Sequence, residues 1–171
     1  VEQGDGVHGY IRFNNCRIPA DHLLGEEGQG FLVAQTRLGG GRVHHAMRSV
    51  GVLKKAMDMM CERALSRTTK GELLANKQMT QEKIADSYTQ ILQYRLHVLY
   101  TAWLIDKYKE YNREVRKEIA AIKAATPKVL QEVVYRAMHL HGSLGMSDEI
   151  PLMYMWADIP ELGVVDGPSE V

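Results

Sequence analysis

The sequence predicts an all-α protein, a bundle of long helices running up and down, and three observations carry that prediction. Segments 43–65, 77–109 and 112–141 repeat apolar residues every three or four positions, the period of a helix with one buried face. The connections between them are short, which forces neighbouring helices to run antiparallel. No internal repeat, low-complexity tract or flexible linker divides the chain, and 171 residues suffice for one domain with a sizeable core.

Composition narrows the function classes. Lys plus Arg equals Asp plus Glu, 21 each, so no global field draws nucleic acid or an anionic membrane. No apolar run is long enough to span a bilayer, and the start is not a signal peptide. Cys16 and Cys61 form neither a disulfide framework nor a metal spacing, so a reducing compartment and no metal are expected.

Residues 1–29 read as short extended pieces with turns. His8-Gly-Tyr-Ile-Arg-Phe is strand-like, Pro19 holds Ile18 out of helical geometry, and Leu24-Gly-Glu-Glu-Gly-Gln-Gly is a glycine-punctuated loop. A strand pair belonging to a further domain would explain this piece, and a disordered lead-in is the alternative. Phe31 to Leu38 can start a helix that Gly39-Gly40-Gly41 interrupts, because each glycine costs a helix interior roughly 1 kcal/mol against alanine. That break is either a loop or a close approach of backbone to a ligand.

The first long helix carries Val43, Ala46, Val50, Leu53, Met57, Met60 and Ala64 on its buried stripe. Met47, Met57, Met59 and Met60 read as core filler. His44 and His45 are adjacent and cannot form an i, i+4 metal pair. Residues 66–71 form a polar connection in which Arg67, Thr68, Thr69 and Lys70 either clamp an anion or are simply solvated. The second helix buries Ile84, Tyr88, Ile91, Val98, Ala102 and Ile105, with its tyrosines packing by their rings and keeping their tips near water. The third buries Val115, Ile119, Ile122, Leu130, Val133, Ala137 and Leu140, with a kink expected at Pro127 and a glycine C-cap in Gly142-Ser-Leu-Gly145. A short helix covers roughly 151–157, with Ser147 or Asp148 as N-cap, and 160–163 bends the chain onward.

That bend leads into Val164-Val165-Asp166-Gly167-Pro168-Ser169-Glu170. Gly167 accepts backbone geometry other residues resist and Pro168 fixes its own φ, so the pair can present Asp166 from an apolar wall at the mouth of a pocket. Asp-Gly-Pro is also a common turn sequence, and these residues alone leave both readings open.

Five stretches in order carry a resemblance: Pro19-Ala-Asp-His-Leu-Leu-Gly-Glu-Glu-Gly-Gln-Gly-Phe31, Arg37-Leu-Gly-Gly-Gly-Arg42, Glu62-Arg-Ala-Leu-Ser-Arg67, His141-Gly-Ser-Leu-Gly145 and Val165-Asp-Gly-Pro-Ser-Glu170. Together they cover essentially the whole chain. The chain resembles the C-terminal part of an acyl-CoA dehydrogenase, in a branch with Asp-Gly-Pro where most members carry Glu-Gly-Thr. The resemblance implies a four-helix bundle over 30–171, preceded at 1–29 by the end of a middle β-domain and a linker. It implies FAD as cofactor, an acyl-CoA thioester as substrate, an electron-transfer flavoprotein as partner, and a dimer or tetramer built through the bundles. A cytoplasmic location follows in a bacterium, a mitochondrial or peroxisomal one in a eukaryote. The chain then reads as a fragment of a longer enzyme of fatty acid β-oxidation, inactive alone.

The implied reaction is α,β-dehydrogenation: a carboxylate takes the α-proton while the β-hydrogen leaves as hydride to flavin N5. The family motif puts that base at Asp166. Some relatives carry it instead just before the helix arginine, which here is Gly41 and has no side chain. Asp is about 1.5 Å shorter than Glu, so its backbone must sit closer to the substrate. Arg67 and Thr69 match residues that reach the flavin diphosphate of a neighbouring subunit, and Gln78 matches a flavin-contacting glutamine. His139, Gly142 and Ser143 fall in a cofactor-facing stretch, with His139 in place of glutamine and Ser143 in place of glycine. Ser169 and Glu170 match flavin neighbours, while Pro168 replaces a threonine. Arg42 matches an arginine near CoA and the base loop, and Gly167 is grouped with it at the substrate. Gly39 stands where many relatives place an acid that touches CoA, and Lys70 where a phenylalanine is usual. Two other readings stay open: an oligomerisation module beside a catalytic partner, and an acyl-CoA oxidase on the same fold.

Overall fold

A computed structural model describes residues 9–109 and 112–170. Its frame is three long helices: α1 (Gly30–Ser66), α2 (Gln78–Tyr108) and α3 (Arg113–His141). Two short helices follow, α4 (Leu152–Ala157) and α5 (Ile159–Val164), and both pack on α3. They take the place of a fourth long helix in the bundle. Contacts fix the directions. Tyr94 on α2 meets Ala46 on α1 and Thr126 on α3. Further along α2, His97 meets Glu118, while Arg136 meets Gln90 and Ser87. Rising numbers on one helix meet falling numbers on the next, so the neighbours run antiparallel.

The core lies between α1, α2 and α3 and under α4 and α5. Leu53, Met60, Val98, Ile122, Leu130, Val133 and Leu152 are among its fully buried members. Each such side chain contributes roughly 1.5–3 kcal/mol of apolar burial. A second small cluster, Leu104, Val115 and Ile119, closes the far end of α2.

Several expectations are corrected. α1 runs unbroken through Gly39-Gly40-Gly41 and starts at Gly30. Gly39 is buried and Gly41 faces another segment, so close packing offsets the weak helix propensity. The buried face of α2 keeps Ile91 and Val98 as expected, with Ile84, Ala102 and Ile105 half-buried, but it is wider than expected and leaves out Tyr88. Tyr88 is 60% exposed, whereas Ser87, Tyr94 and Thr101 are buried. The hydroxyls of Ser87 and Thr101 donate to carbonyls one turn back, Lys83 O and His97 O, which satisfies their protons within α2, while Ser87 Oγ also accepts from Arg136 on α3. The connection after α1 holds a small antiparallel hairpin, β1 (Thr68–Thr69) with β2 (Glu72–Leu73). α3 continues through Pro127, as expected. Ser147 caps no helix; its hydroxyl donates to Leu144 O. Residues 160–163 are helical, inside α5. Among the described residues of 9–29 there is no strand, only a 3-10 turn at Ala20–His22. The start of the strand-like stretch, through His8, lies outside the described residues.

Candidate active site

Asp166 follows α5 in left-handed backbone geometry, φ +56, and Gly167 follows at φ +100. The turn is tied at several points. Val165 N donates to Glu161 O at 2.9 Å, and Ser169 donates to Gly163 O from both its backbone N, 2.9 Å, and its hydroxyl, 3.2 Å. Lys123 on α3, 5% exposed, donates its ammonium to Leu162 O at 2.6 Å and so pins the end of α5. Burial pushes the Lys123 pKa down, reinforced by Arg42 and opposed by Asp166 and Glu170. Arg42 Nε donates to the Asp166 carbonyl at 2.9 Å. A Cβ at Gly167 would lie 3.0 Å from Arg42 Nη2, so both the space and the positive φ require glycine there.

The Asp166 carboxylate points onto α1, and its side chain is 10% exposed. Oδ1 sits 3.3 Å from Arg37 Nη1. Oδ2 lies 3.4 Å from His45 Nε2, yet it is buried and accepts no well-aimed hydrogen bond. The two atoms are close, but the ring N–H does not point at Oδ2, so no hydrogen bond joins them. Between those two residues lies Gly41, whose absent Cβ would stand 3.0 Å from Asp166 Cγ and closer still to Oδ2. A side chain at 41 and the carboxylate at 166 would therefore compete for one space. Burial lowers the His45 pKa, with Asp166 opposing, Arg48 and His44 reinforcing and Glu161 opposing.

The structure brings Arg42, Gly167, Ser169 and Glu170 together with Asp166. It sets the other candidates apart. Arg67 ends α1, 26 residues past Gly41, which at the helical rise is about 39 Å. Thr69 is in the hairpin beyond it and Gln78 opens α2. His139 is in the last turn of α3, and Gly142 and Ser143 follow in a 3-10 turn; α3 runs in the same direction as α1. Arg67, Gln78, His139 and Ser143 are exposed there. Arginine, threonine, glutamine and serine donors with no acid among the candidates suit a diphosphate, so this end fits that part of FAD. Glu170 only accepts and fits a hydroxyl or N–H rather than a phosphate. Among the described residues no cluster of three or more metal-ligating side chains exists, and no helix is long and apolar enough to cross a membrane.

Arg37, His45 and Lys123 were missing from the sequence-derived site. Arg37, Gly41 and His45 are spaced i, i+4, i+8, one face of a continuous helix. Reading the glycines as a break hid that spacing. Nothing in the sequence signals that Lys123 is buried.

Comparison with known proteins agrees with this geometry. The sequence profile described as "Acyl-CoA dehydrogenase, C-terminal domain" matches residues 28–171. The chain is 42% identical over 166 residues to "Probable acyl-CoA dehydrogenase FadE2" of Mycobacterium tuberculosis, covering 96% of this chain and 40% of the relative. It is 42% identical over 170 residues to "Acyl-CoA dehydrogenase family member 11" of Rattus norvegicus, covering 98% of this chain and 22% of the relative. The solved structure of butyryl-CoA dehydrogenase from Megasphaera elsdenii superposes with a TM-score of 0.82 at 28% identity, over 90% of this chain and 39% of that one. The chain thus spans less than half the length of the relatives it matches. From its bundle and these matches, the chain belongs to the acyl-CoA dehydrogenase family, whose C-terminal helical domain it carries.

Proposed function

We propose that the chain serves α,β-dehydrogenation of an acyl-CoA thioester, with Asp166 as the base that removes the α-proton. One observation carries the proposal: a carboxylate, 10% exposed, is held on a left-handed turn against a helix position that has no side chain. A carboxylate in water is a weak base towards a carbon acid, and loss of solvent strengthens it. In the step, the α C–H bond breaks and an O–H bond forms on Asp166 while the β-hydrogen leaves with its electron pair. FAD, when bound, supplies the acceptor for that hydride. Arg42 orients the base by holding its backbone carbonyl, and Gly167 lets that arginine approach.

The reading assigns 1–29 to the end of a β-domain and its linker, and 30–171 to the bundle. Arg67, Thr69, Gln78, His139, Gly142 and Ser143 serve a neighbouring chain's cofactor, while Ser169 and Glu170 lie beside the chain's own base. The roughly 39 Å from Gly41 to Arg67 supports that division, because the two ends cannot serve one reacting centre. Exposed apolar residues on α2 support a homo-oligomer, and an electron-transfer flavoprotein fits as the final acceptor.

Asp166→Asn in the FAD-loaded enzyme tests the base. Turnover should fall by about 10²–10⁴, the usual contribution of a positioned base, and acyl-CoA should no longer bleach the flavin without oxygen. Turnover within about tenfold of the parent would overturn the assignment.

A further inference from the structure

The two oxygens of Asp166 are not equivalent. Oδ1 is the outer one, and its neighbour Arg37 has a side chain that is 76% exposed. A long exposed side chain held by one contact at 3.3 Å can swing aside when a substrate arrives. Oδ2 is the inner one, walled by Gly41 and facing His45, whose side chain is 23% exposed. It has essentially no accessible surface, whereas Oδ1 meets an exposed side chain.

The neighbours of His45 decide what it offers to Oδ2. Arg48 Nη2 lies 3.4 Å from Nδ1. A guanidinium only donates, so Nδ1 is the accepting nitrogen and the single proton of a neutral ring sits on Nε2. That nitrogen lies 3.4 Å from the buried, unpartnered Oδ2, although its N–H is not aimed at the oxygen in this structure. Burial favours the neutral ring, as the lowered pKa records. The remaining charged or titratable neighbours are His44 and Glu161. The 3.4 Å separation is long for a finished hydrogen bond, and such contacts shorten when a site fills.

We propose that His45 is a positioning residue for Asp166: its Nε2–H holds the inner oxygen, Oδ2, and leaves Oδ1 as the oxygen that takes the α-proton. The inference rests on Asp166 being the base. Without the donor, the carboxylate is free to rotate about its Cβ–Cγ bond, and the outward oxygen loses its aim. Misplacement of a reacting group by about 1 Å can cost as much as 10²-fold in rate.

The test compares His45→Gln with His45→Met in the FAD-loaded enzyme. Glutamine places an amide N–H near the former Nε2; methionine fills similar volume without a donor. His45→Met should lower kcat by about 10- to 100-fold while the acyl-CoA KM stays within about threefold and FAD content is unchanged. His45→Gln should recover kcat to within about fivefold of the parent. Equal kcat in the two variants, or a parent-like kcat in His45→Met, would overturn the proposal. Asp166→Asn is measured alongside. If it stays active, the base assignment fails; if it is inactive while His45→Met is parent-like, only the role of His45 fails. A fall in FAD content shared by both His45 variants would mark a structural role and also overturn the proposal.

Discussion

Gly40 and Gly41 are neighbours on α1 with opposite demands. A Cβ at Gly40 meets nothing within 4 Å, whereas one at Gly41 runs into the Asp166 carboxylate. Gly40→Ala should therefore raise stability by up to about 1 kcal/mol through helix propensity alone. Gly41→Ala gains the same propensity but overfills the contact, a loss of about 1–3 kcal/mol. It should also cut turnover tenfold or more by displacing the carboxylate. Thermal unfolding and steady-state rates of the two variants check both signs. The turn at Asp166 and Gly167 was legible in local residue types, whereas Arg42, on a helix, came only from the resemblance. The sequence hid Arg37 and His45, because their role depends on the helix surviving three glycines. Only the packing of Gly39 and Gly41 against other segments explains that survival.

Tyr94 joins three elements at one point. Its hydroxyl lies 2.5 Å from Thr126 Oγ1 on α3 and 3.4 Å from the Ala46 carbonyl on α1. Burial pushes its phenol pKa from 10.0 up to about 12, partly opposed by the Thr126 hydrogen bond. The folded state thus keeps a proton that the unfolded chain loses above pH 10. Tyr94 contributes full stability below pH 10 and loses it as pH rises towards 12, by roughly 2–3 kcal/mol in all. Tyr94→Phe should flatten that alkaline loss relative to the parent, as denaturant midpoints measured at pH 8 and 11 will show. The periodicity of α1 and α3 was legible, since their buried stripes are nearly all aliphatic. The face of α2 was legible only in part: Ile91 and Val98 are in the core as expected, but Ser87, Tyr94 and Thr101 join them there while Tyr88 faces outward. Equating apolar with buried fails wherever hydroxyls bond their own helix.

That outward face matters for the molecule as a whole. Tyr88, Leu92, Leu96, Leu99 and Trp103 are all exposed, three to four residues apart along α2. An uncovered apolar stripe of this kind favours association between copies. Leu96→Glu should shift the protein to a smaller species in analytical ultracentrifugation without loss of helical circular dichroism. The bundle was legible from its three long periodic segments; its fourth position, filled by α4 and α5, was legible only as a short helix and a bend. The separation between the Asp166 end and the Arg67 end has a genetic consequence. If, as proposed, the Arg67 end serves a neighbouring chain's cofactor, a chain damaged at one end keeps its opposite end whole for a neighbour. Asp166→Asn and Arg67→Ala chains, each expected to be inactive alone, should then regain activity when co-assembled, because some mixed assemblies unite the intact acid of one chain with the intact guanidinium of another.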